Sequence, residues 1–481
     1  MTLHARFLVP VLDRWLLYAP LHGVAAVVNA AAARDLQRRG AVLPDGPVAD
    51  LGRAVQSQPS DAPVPGSGEL CPSMLGLIPT RGCNLACAYC DFGSRFSARD
   101  AMPASMAVAA VDWMAGQMCR TGRRAVRVHF FGGEPFLEPD VVAVAVHRVR
   151  ALAARHGLEP YVDASTSGVF DPGFCDFVGD YFNGIAVSLD GPPEVHDRVR
   201  ARSGGQPTFE DVDRTILRLS EMPVELCLRI CVTEQSVGEL EDIVRWMIGR
   251  YSPSTVNIEP LTPGVESARA GLKPPDPYLF AAHCVAACKV EDETGVSVVY
   301  AAAERERPRV SFCPLGADAV IVSPNGRMSA CYLPPQDWQA HGLDLDLGCI
   351  DQRGAVEIDE DAVERVRKVP LEKPRCVRCF CQWTCAGGCH VNETHPGCGL
   401  DYTPFCVQTR LVTACLLLRD AGCGDVADAL LADRRALERL AHYAQDPFDA
   451  AGDERATPDA VAAASRRLVA APAAPLCGDR P

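Results

Sequence analysis

"RGCNLACAYCDFG", residues 81–93, places Cys83, Cys87 and Cys90 within eight positions, with Tyr89 directly before the third thiol. The run before it, "MLGLIP" (74–79), is apolar throughout and reads as a buried strand, so the cysteines fall in the loop at that strand's C-terminal end. Three thiols leave one position of a four-coordinate metal site open. Catalytic zinc usually takes histidine and carboxylate ligands, whereas an all-thiolate set favours iron-sulfur.

Working outward, the strand at 74–79 begins a rhythm. Further strand-like runs lie at "AVRVHFF" (125–131), "PYVDAST" (160–166), "GIAVSLD" (184–190), "VELCLRICVT" (224–233) and "TVNIEPL" (255–261). Helical stretches fall between and after them at 104–119, 139–156, 208–221, 236–250 and 277–291. Six strand-helix alternations predict an α/β fold with a parallel sheet and crossover helices, a partial (β/α)6 barrel of TIM-like build, open on one side. In such folds the loops at the strand C-termini carry the chemistry.

The rest divides by composition. Residues 1–40 read as a strand-strand-helix element, and 41–73, rich in Pro, Gly, Ser and Asp, as a linker. The barrel is expected over 74–292, a bridging segment over 293–312, and a loop-rich, cysteine-rich domain with short strands over 313–423. Residues 424–481 read as a C-terminal helix (424–445) followed by a mobile tail.

A chain of 481 residues, 48% hydrophobic and 22% charged, has the balance of a folded protein. Its net charge of −14 argues against general affinity for nucleic-acid phosphates or anionic lipid. No apolar run of membrane-spanning length appears, and Asp13, Arg14 and His22 interrupt the stretch a signal peptide would need, so a cytoplasmic location is expected. In that compartment 23 cysteines are too many for disulfides, and metal ligation explains the clusters. Cys119, Cys175, Cys227, Cys231, Cys284, Cys288, Cys415 and Cys423 stand apart from the clusters and read as small buried hydrophobes.

The spacing Cys-x3-Cys-x2-Cys with an aromatic before the last cysteine resembles the motif of the radical SAM superfamily, which binds a 4Fe-4S cluster and S-adenosyl-L-methionine. "FFGGEP" (130–135), ending the second strand, is similar to that family's glycine-rich motif. Gly132 and Gly133 let the backbone approach a ligand, and Glu134 can pair with an ammonium. "STSG" (165–168), with Thr166 and Ser167, and "VSLDGPPEVHDRVR" (187–200), with Ser188 and Asp190, end the third and fourth strands. By resemblance they form the ribose and sulfonium side of the same pocket, with Tyr89 beside the cluster. The same likeness gives Arg214 the cofactor carboxylate, with Arg229 as its rival.

The second cysteine field resembles the SPASM extension of radical SAM enzymes that act on peptides and proteins. It comprises Cys313, Cys331, "CVRCFCQWTCAGGC" (376–389) and Cys406 in "YTPFC". Setting aside Cys381 in the spacer between Cys379 and Cys385, a zinc ribbon explains four of the remaining seven cysteines and leaves Cys313, Cys331 and Cys406 unused. The likeness implies two auxiliary 4Fe-4S clusters and therefore three in all. Cys376, Cys379, Cys385 and Cys406 would hold the outer one, and Cys313, Cys331 and Cys389 the inner one. The inner set then has an open iron or recruits Cys349 or Cys398. Catalytic candidates flanking the ligands are Tyr332, His390, Tyr402 and Cys381.

The implied function is a radical SAM/SPASM maturase. It would form a 5'-deoxyadenosyl radical, abstract hydrogen from a ribosomally made precursor peptide, and close a carbon-sulfur or carbon-carbon crosslink. Partners are the peptide and an external one-electron donor such as flavodoxin or ferredoxin. Residues 1–40 weakly resemble the opening of small leader-peptide-binding domains. The alternatives are a sulfatase-type maturase making formylglycine, a SPASM enzyme oxidising a small metabolite, and a non-catalytic iron-sulfur electron carrier.

Overall fold

The computed structural model describes residues 6–37, 46–56, 62–90, 92, 100–444 and 465–467. The chain opens with three strands, β1 (Phe7–Val11), β2 (Arg14–Ala19) and β3 (Val24–Val28), where the sequence suggested two, followed by the helix Ala30–Gln37. They form an antiparallel sheet in the order β1-β2-β3. Side chains alternate between its faces, as strand geometry requires. Leu8, Leu17, Ala26 and Val28 pack with Leu51 and Val55, whereas Phe7, Val9, Leu16, Tyr18 and Val27 join the main core. Leu51 and Val55 belong to the helix Pro47–Gln56, so the expected linker contains an element that covers the outer face of this sheet.

The barrel strands are β4 (Met74–Leu77), β5 (Ala125–Phe130), β6 (Glu159–Thr166), β7 (Gly184–Ser188), β8 (Glu225–Val232) and β9 (Thr255–Pro260). They pair in sequential order, all parallel. Helices Ala104–Thr121, Pro139–His156, Phe209–Ser220, Leu240–Tyr251 and Pro277–Thr294 lie close to the positions read from periodicity. Short helices Phe174–Tyr181 and Pro193–Val199 were not anticipated, because each spans about two turns and carries too little apolar repeat to register.

Two further strands extend the parallel array. β10 (Ser297–Val299) pairs with β9 at one edge, and β11 (Ala319–Val322), from the cysteine-rich region, pairs with β4 at the other. From β11 the sheet continues antiparallel through β12 (Arg327–Ser329), β13 (Asp346–Ile350) and β14 (Val356–Ile358). The two large regions thus share one sheet, whose order runs from β10 to β14.

Two expectations for the C-terminal part need correction. The region read as loop-rich over 313–423 contains near its end a buried helix, Pro404–Asp420, whose hydrophobic residues recur on all faces because it is surrounded by protein. The helix expected over 424–445 is two, Gly424–Ala432 and Arg434–His442, separated at Asp433, whose carboxylate accepts from the Ala436 N–H at 3.0 Å and caps the second. Helices Pro404–Asp420 and Arg434–His442 pack against the N-terminal sheet. Of the expected tail, residues 465–467 form β15 (Ser465–Arg467), which pairs antiparallel with β3. Residues 445–464 and 468–481 lie outside the described ones. Among the described residues no helix is long and apolar enough to cross a membrane.

Candidate functional site

The loop carrying Cys83, Cys87 and Cys90 leaves β4 at its C-terminal end and is pinned from two sides. On one side Ala86 and Ala88 donate their N–H groups to the carbonyls of Ala201 and Val199, both at 2.8 Å. On the other, Gly133 N donates to Thr80 O at 3.1 Å and Glu134 N to Gly82 O at 2.9 Å. The glycines are needed here: Gly132 has φ 149°, and a Cβ on Gly132 or Gly133 would run into the carbonyls of Thr80 or Gly82. The glycine-rich turn therefore presses directly on the cysteine loop.

Glu134 is fully buried, and four protein donors meet its carboxylate. Thr166 Oγ1 lies 2.8 Å from both oxygens, Ser167 N and Oγ donate at 2.7 Å, and Phe136 N donates at 3.2 Å. Burial raises its pKa, and these hydrogen bonds work in the opposite direction. Glu134, Thr166 and Ser167 thus form one polar unit linking the ends of β5 and β6.

Across the loop, Asp190 follows β7 and is 1% exposed. Tyr89 donates its hydroxyl to Asp190 Oδ2 at 2.6 Å, Arg200 Nε reaches the same oxygen at 2.9 Å, and Cys231 N donates to Oδ1 at 2.9 Å. Arg200 also stands 3.8 Å from Cys87 Sγ and 5.3 Å from the Tyr89 ring centroid. Ser188 ends β7 opposite Arg229 in the register. Arg214 is not brought here: it lies exposed on the helix Phe209–Ser220, 3.2 Å from Asp211. Arg229 is half-buried, 3.9 Å from Glu259. The guanidinium at the cysteine loop is Arg200, the last residue of the quoted "HDRVR", which sequence reasoning left without a role. Its signal was an arginine ten positions after Asp190 in a segment otherwise read as a pocket wall.

Thiol electrostatics group the cysteines. Burial pushes Cys83 up to about 12, with Glu134, Cys87 and Cys90 adding to the rise. Burial likewise lifts Cys87 to about 11 against the pull of Arg200, and Cys90 contributes. In the second field, burial raises Cys313 to about 11, with the Cys389 charge next, and Cys331 feels both Cys313 and Cys389. Cys376 rises to about 12 through burial, then Cys379 and Cys406, and Cys385 feels Cys376, Cys406 and Cys379. Within each set expected from the sequence, thiols act on one another electrostatically. Apart from Cys379, the ligand thiols with a resolved shift are raised by burial, and thiolates that repel one another suit a multi-iron centre, whose positive charge offsets their own. Among the described residues, no three His, Cys, Asp or Glu side chains close around a single-ion position.

The extra ligands suggested for the inner set do not gather with it. Cys349 is exposed on β13, and Cys398 sits at the outer set, where Arg375 Nη2 approaches its Sγ at 2.6 Å. Cys381 is buried against Cys379, whose thiol is lowered to about 6 first by a hydrogen bond with Cys381. His390 lies between Ser311 Oγ and Thr394 Oγ1, both at 3.1 Å. Burial lowers His390 to about 4, with the Lys373 charge second. Tyr402 lies under Arg410, 4.2 Å from ring centroid to guanidinium.

Tyr332 reaches into the barrel. A Cβ on Gly76 of β4 would collide with its hydroxyl, which is buried with no hydrogen-bond partner among the described residues. Its ring lies 4.8 Å from Phe131 and 5.8 Å from His129. Around it is an ionic cluster that sequence reasoning missed. Arg127 makes two hydrogen bonds to Asp163, His129 Nδ1 lies 3.0 Å from Asp163 Oδ2, and Ser165 Oγ is 3.5 Å from His129 Nε2. The signal was present: charged residues at alternate positions of strands otherwise apolar face a polar interior.

Residues 77–247, which carry the cysteine loop, the glycine turn and Asp190, match the family model described as the Radical SAM superfamily. A cysteine-type anaerobic sulfatase-maturating enzyme of Clostridium perfringens (strain 13 / Type A) is 26% identical over 179 residues, 36% of this chain and 48% of that protein. The chain therefore spans about half the length of the curated relatives it matches. Among solved structures, native anSMEcpe with bound AdoMet aligns at a TM-score of 0.56 with 17% identity, covering 74% of this chain and 99% of that one. Native anSMEcpe with bound AdoMet and Kp18Cys peptide aligns at 0.56 with 19% identity, covering 73% and 99%. These likenesses show the fold.

Proposed function

From the radical SAM domain that residues 77–247 form, we propose that the protein is a radical SAM/SPASM maturase that oxidatively crosslinks a precursor peptide. The observation that carries the proposal is the pairing of an open three-thiol loop with a buried glutamate and glycine turn pressed against it. The two auxiliary thiol sets add the peptide-acting extension. Bound at Cys83, Cys87 and Cys90, a reduced 4Fe-4S cluster with S-adenosyl-L-methionine would supply a 5'-deoxyadenosyl radical able to take hydrogen from an unactivated carbon.

The chain's own residues contribute position and charge. The Glu134 carboxylate, held by Thr166 and Ser167, would accept the cofactor's ammonium. Gly132 and Gly133 permit that approach, and Asp190 with Arg200 holds Tyr89 beside the cluster loop. The Arg127–Asp163–His129 group lines the barrel interior, where Tyr332 offers a hydroxyl not committed to the described residues. An external one-electron donor such as flavodoxin or ferredoxin completes the reading, because the cluster must be reduced before it can deliver an electron.

Release of 5'-deoxyadenosine from anaerobically reconstituted, reduced protein given S-adenosyl-L-methionine tests the radical step. No release from fully iron-loaded protein would overturn it, and Cys83→Ala is expected to abolish release while sparing the other clusters. Co-expression with a short cysteine-containing peptide encoded beside the gene, followed by mass spectrometry, tests the crosslink. Loss of two hydrogens with linked fragments is expected. The likeness to a cysteine-type sulfatase maturase supports a second reading, oxidation of a cysteine to formylglycine, which would appear as an aldehyde without a link.

A further inference from the structure

The outer thiol set is ringed by buried cations. Arg410, 1% exposed in the middle of the helix Pro404–Asp420, donates from Nη1 to Cys379 Sγ at 2.9 Å. Its other donors are fixed on the carbonyls of Ala441 (2.9 Å), Leu440 (3.2 Å) and Tyr443. Its guanidinium carbon lies over the rings of Phe380 and Tyr402, 4.7 and 4.2 Å from their centroids. Arg375 points Nη1 at Cys406 Sγ from 4.0 Å and Nη2 at Cys398 Sγ from 2.6 Å. Lys373, 2% exposed, is held by the carbonyls of Val310 and Ala386 and faces Cys376 and Cys385. Glu393, whose charge acts on Cys406 here and also on Cys389 of the inner set, accepts from Thr403 Oγ1 at 2.9 Å.

The inner set is different. Arg309 faces Cys313, but its donors are spent on the carbonyls of Thr384 (2.6 Å), Phe312 (3.3 Å) and Ala301. Asp337 adds a carboxylate charge that acts on Cys331.

A thiolate-ligated cluster gains negative charge when it takes up an electron. N–H donors on its sulfurs and nearby cations stabilise the reduced form and raise the potential, an effect that burial strengthens. Resting on the reading of Cys376, Cys379, Cys385 and Cys406 as cluster ligands, we propose that Arg410, aided by Arg375 and Lys373, raises the reduction potential of the outer cluster above that of the inner one. The outer site then becomes the electron sink of the pair. Arg410 is a positioning residue here: it acts through a ligand sulfur and touches no substrate. The couple concerned is one-electron, with dithionite as the electron source and no proton transfer invoked.

The test is a dithionite titration of reconstituted full-length Cys83→Ala protein, followed by electron paramagnetic resonance with iron and sulfide counted. Two auxiliary couples at separate potentials are expected. Arg410→Met should move the higher couple to lower potential and leave the lower one in place, with Arg410→Lys intermediate. If Arg410→Met does not fold, Arg375→Gln, facing Cys406, must produce a downward shift of the same couple. An unchanged higher couple at full iron content, or a shift confined to the lower one, would overturn the inference while leaving the cluster assignment intact. Iron for one auxiliary cluster alone would overturn the assignment and the inference with it.

Discussion

Glu134 has no exposed surface, and four donors converge on its carboxylate, yet hydroxyl and amide donors leave the negative charge itself uncompensated. A cationic group arriving beside the glycine turn would gain the most from that charge. Glu134→Gln keeps the shape and removes the charge, and hydrogen bonds to charged groups contribute about 1.5–3 kcal/mol. Affinity for S-adenosyl-L-methionine, measured by equilibrium dialysis on iron-loaded protein, is therefore expected to fall about tenfold or more with iron content unchanged. Tyr332 presents the converse case. Its buried hydroxyl has no partner among the described residues, and an unsatisfied buried group costs about 1–3 kcal/mol. Tyr332→Phe should leave the melting temperature unchanged or higher while reducing peptide product. A clear loss of thermal stability would mean the hydroxyl serves the fold.

At the scale of elements, β5 and β6 are joined by more than their ladder. Arg127 and His129 on β5 bracket Asp163 on β6, which is fully buried. Burial alone would raise the Asp163 pKa, but His129 and Arg127 outweigh it and bring it to about 2, below the ordinary 3.8. A carboxyl depressed on folding contributes stability that is present above its unfolded pKa and lost as pH falls through its folded one. For Asp163 that contribution is about 2 kcal/mol, lost between about pH 4 and pH 2. Urea unfolding of wild type and Asp163→Asn across about pH 2–7 should show a constant gap above about pH 5 that narrows toward about pH 2. These strands also show what the sequence made legible. The apolar runs, the cysteine spacing and the GGEP turn were readable because each is local, set by a short period or a fixed offset. The Arg127–Asp163 pair joins two strands 36 positions apart, β10 is only three residues long, and the third N-terminal strand, apolar throughout, runs almost directly into an alanine-rich helix with no alternation to mark it. Arg410 left no local signal, and Arg200 only its place in a segment read as pocket wall, because an arginine's partners are set by packing, not by its neighbours in sequence. Arg214 shows the reverse error, a residue matched by local pattern whose helix turns it to solvent.

At the scale of the whole molecule, one chain of contacts runs from the outer thiols to the N-terminal sheet. Arg410 joins Cys379 to the end of the helix Arg434–His442 through the Ala441 and Leu440 carbonyls. Tyr443, next along, donates its hydroxyl to Leu8 O on β1 at 2.9 Å. Tyr18 on β2 lies fully buried on the same side, where Cys381 and Arg305 act on it. The N-terminal sheet is therefore held to the cysteine-rich region by apolar burial across its inner face, with the Tyr443 hydroxyl adding one polar link to β1. Tyr443→Phe keeps the ring and removes the donor, leaving the Leu8 carbonyl without it at a cost of about 1 kcal/mol. That cost falls on the docking of the sheet and not on the barrel. Hydrogen exchange should show β1 and β2 amides losing protection several-fold while those of β5 and β6 are unchanged. Equal loss in both would mean that the sheet and barrel open together as a single cooperative unit, and the Tyr443 link would then carry no separate docking energy.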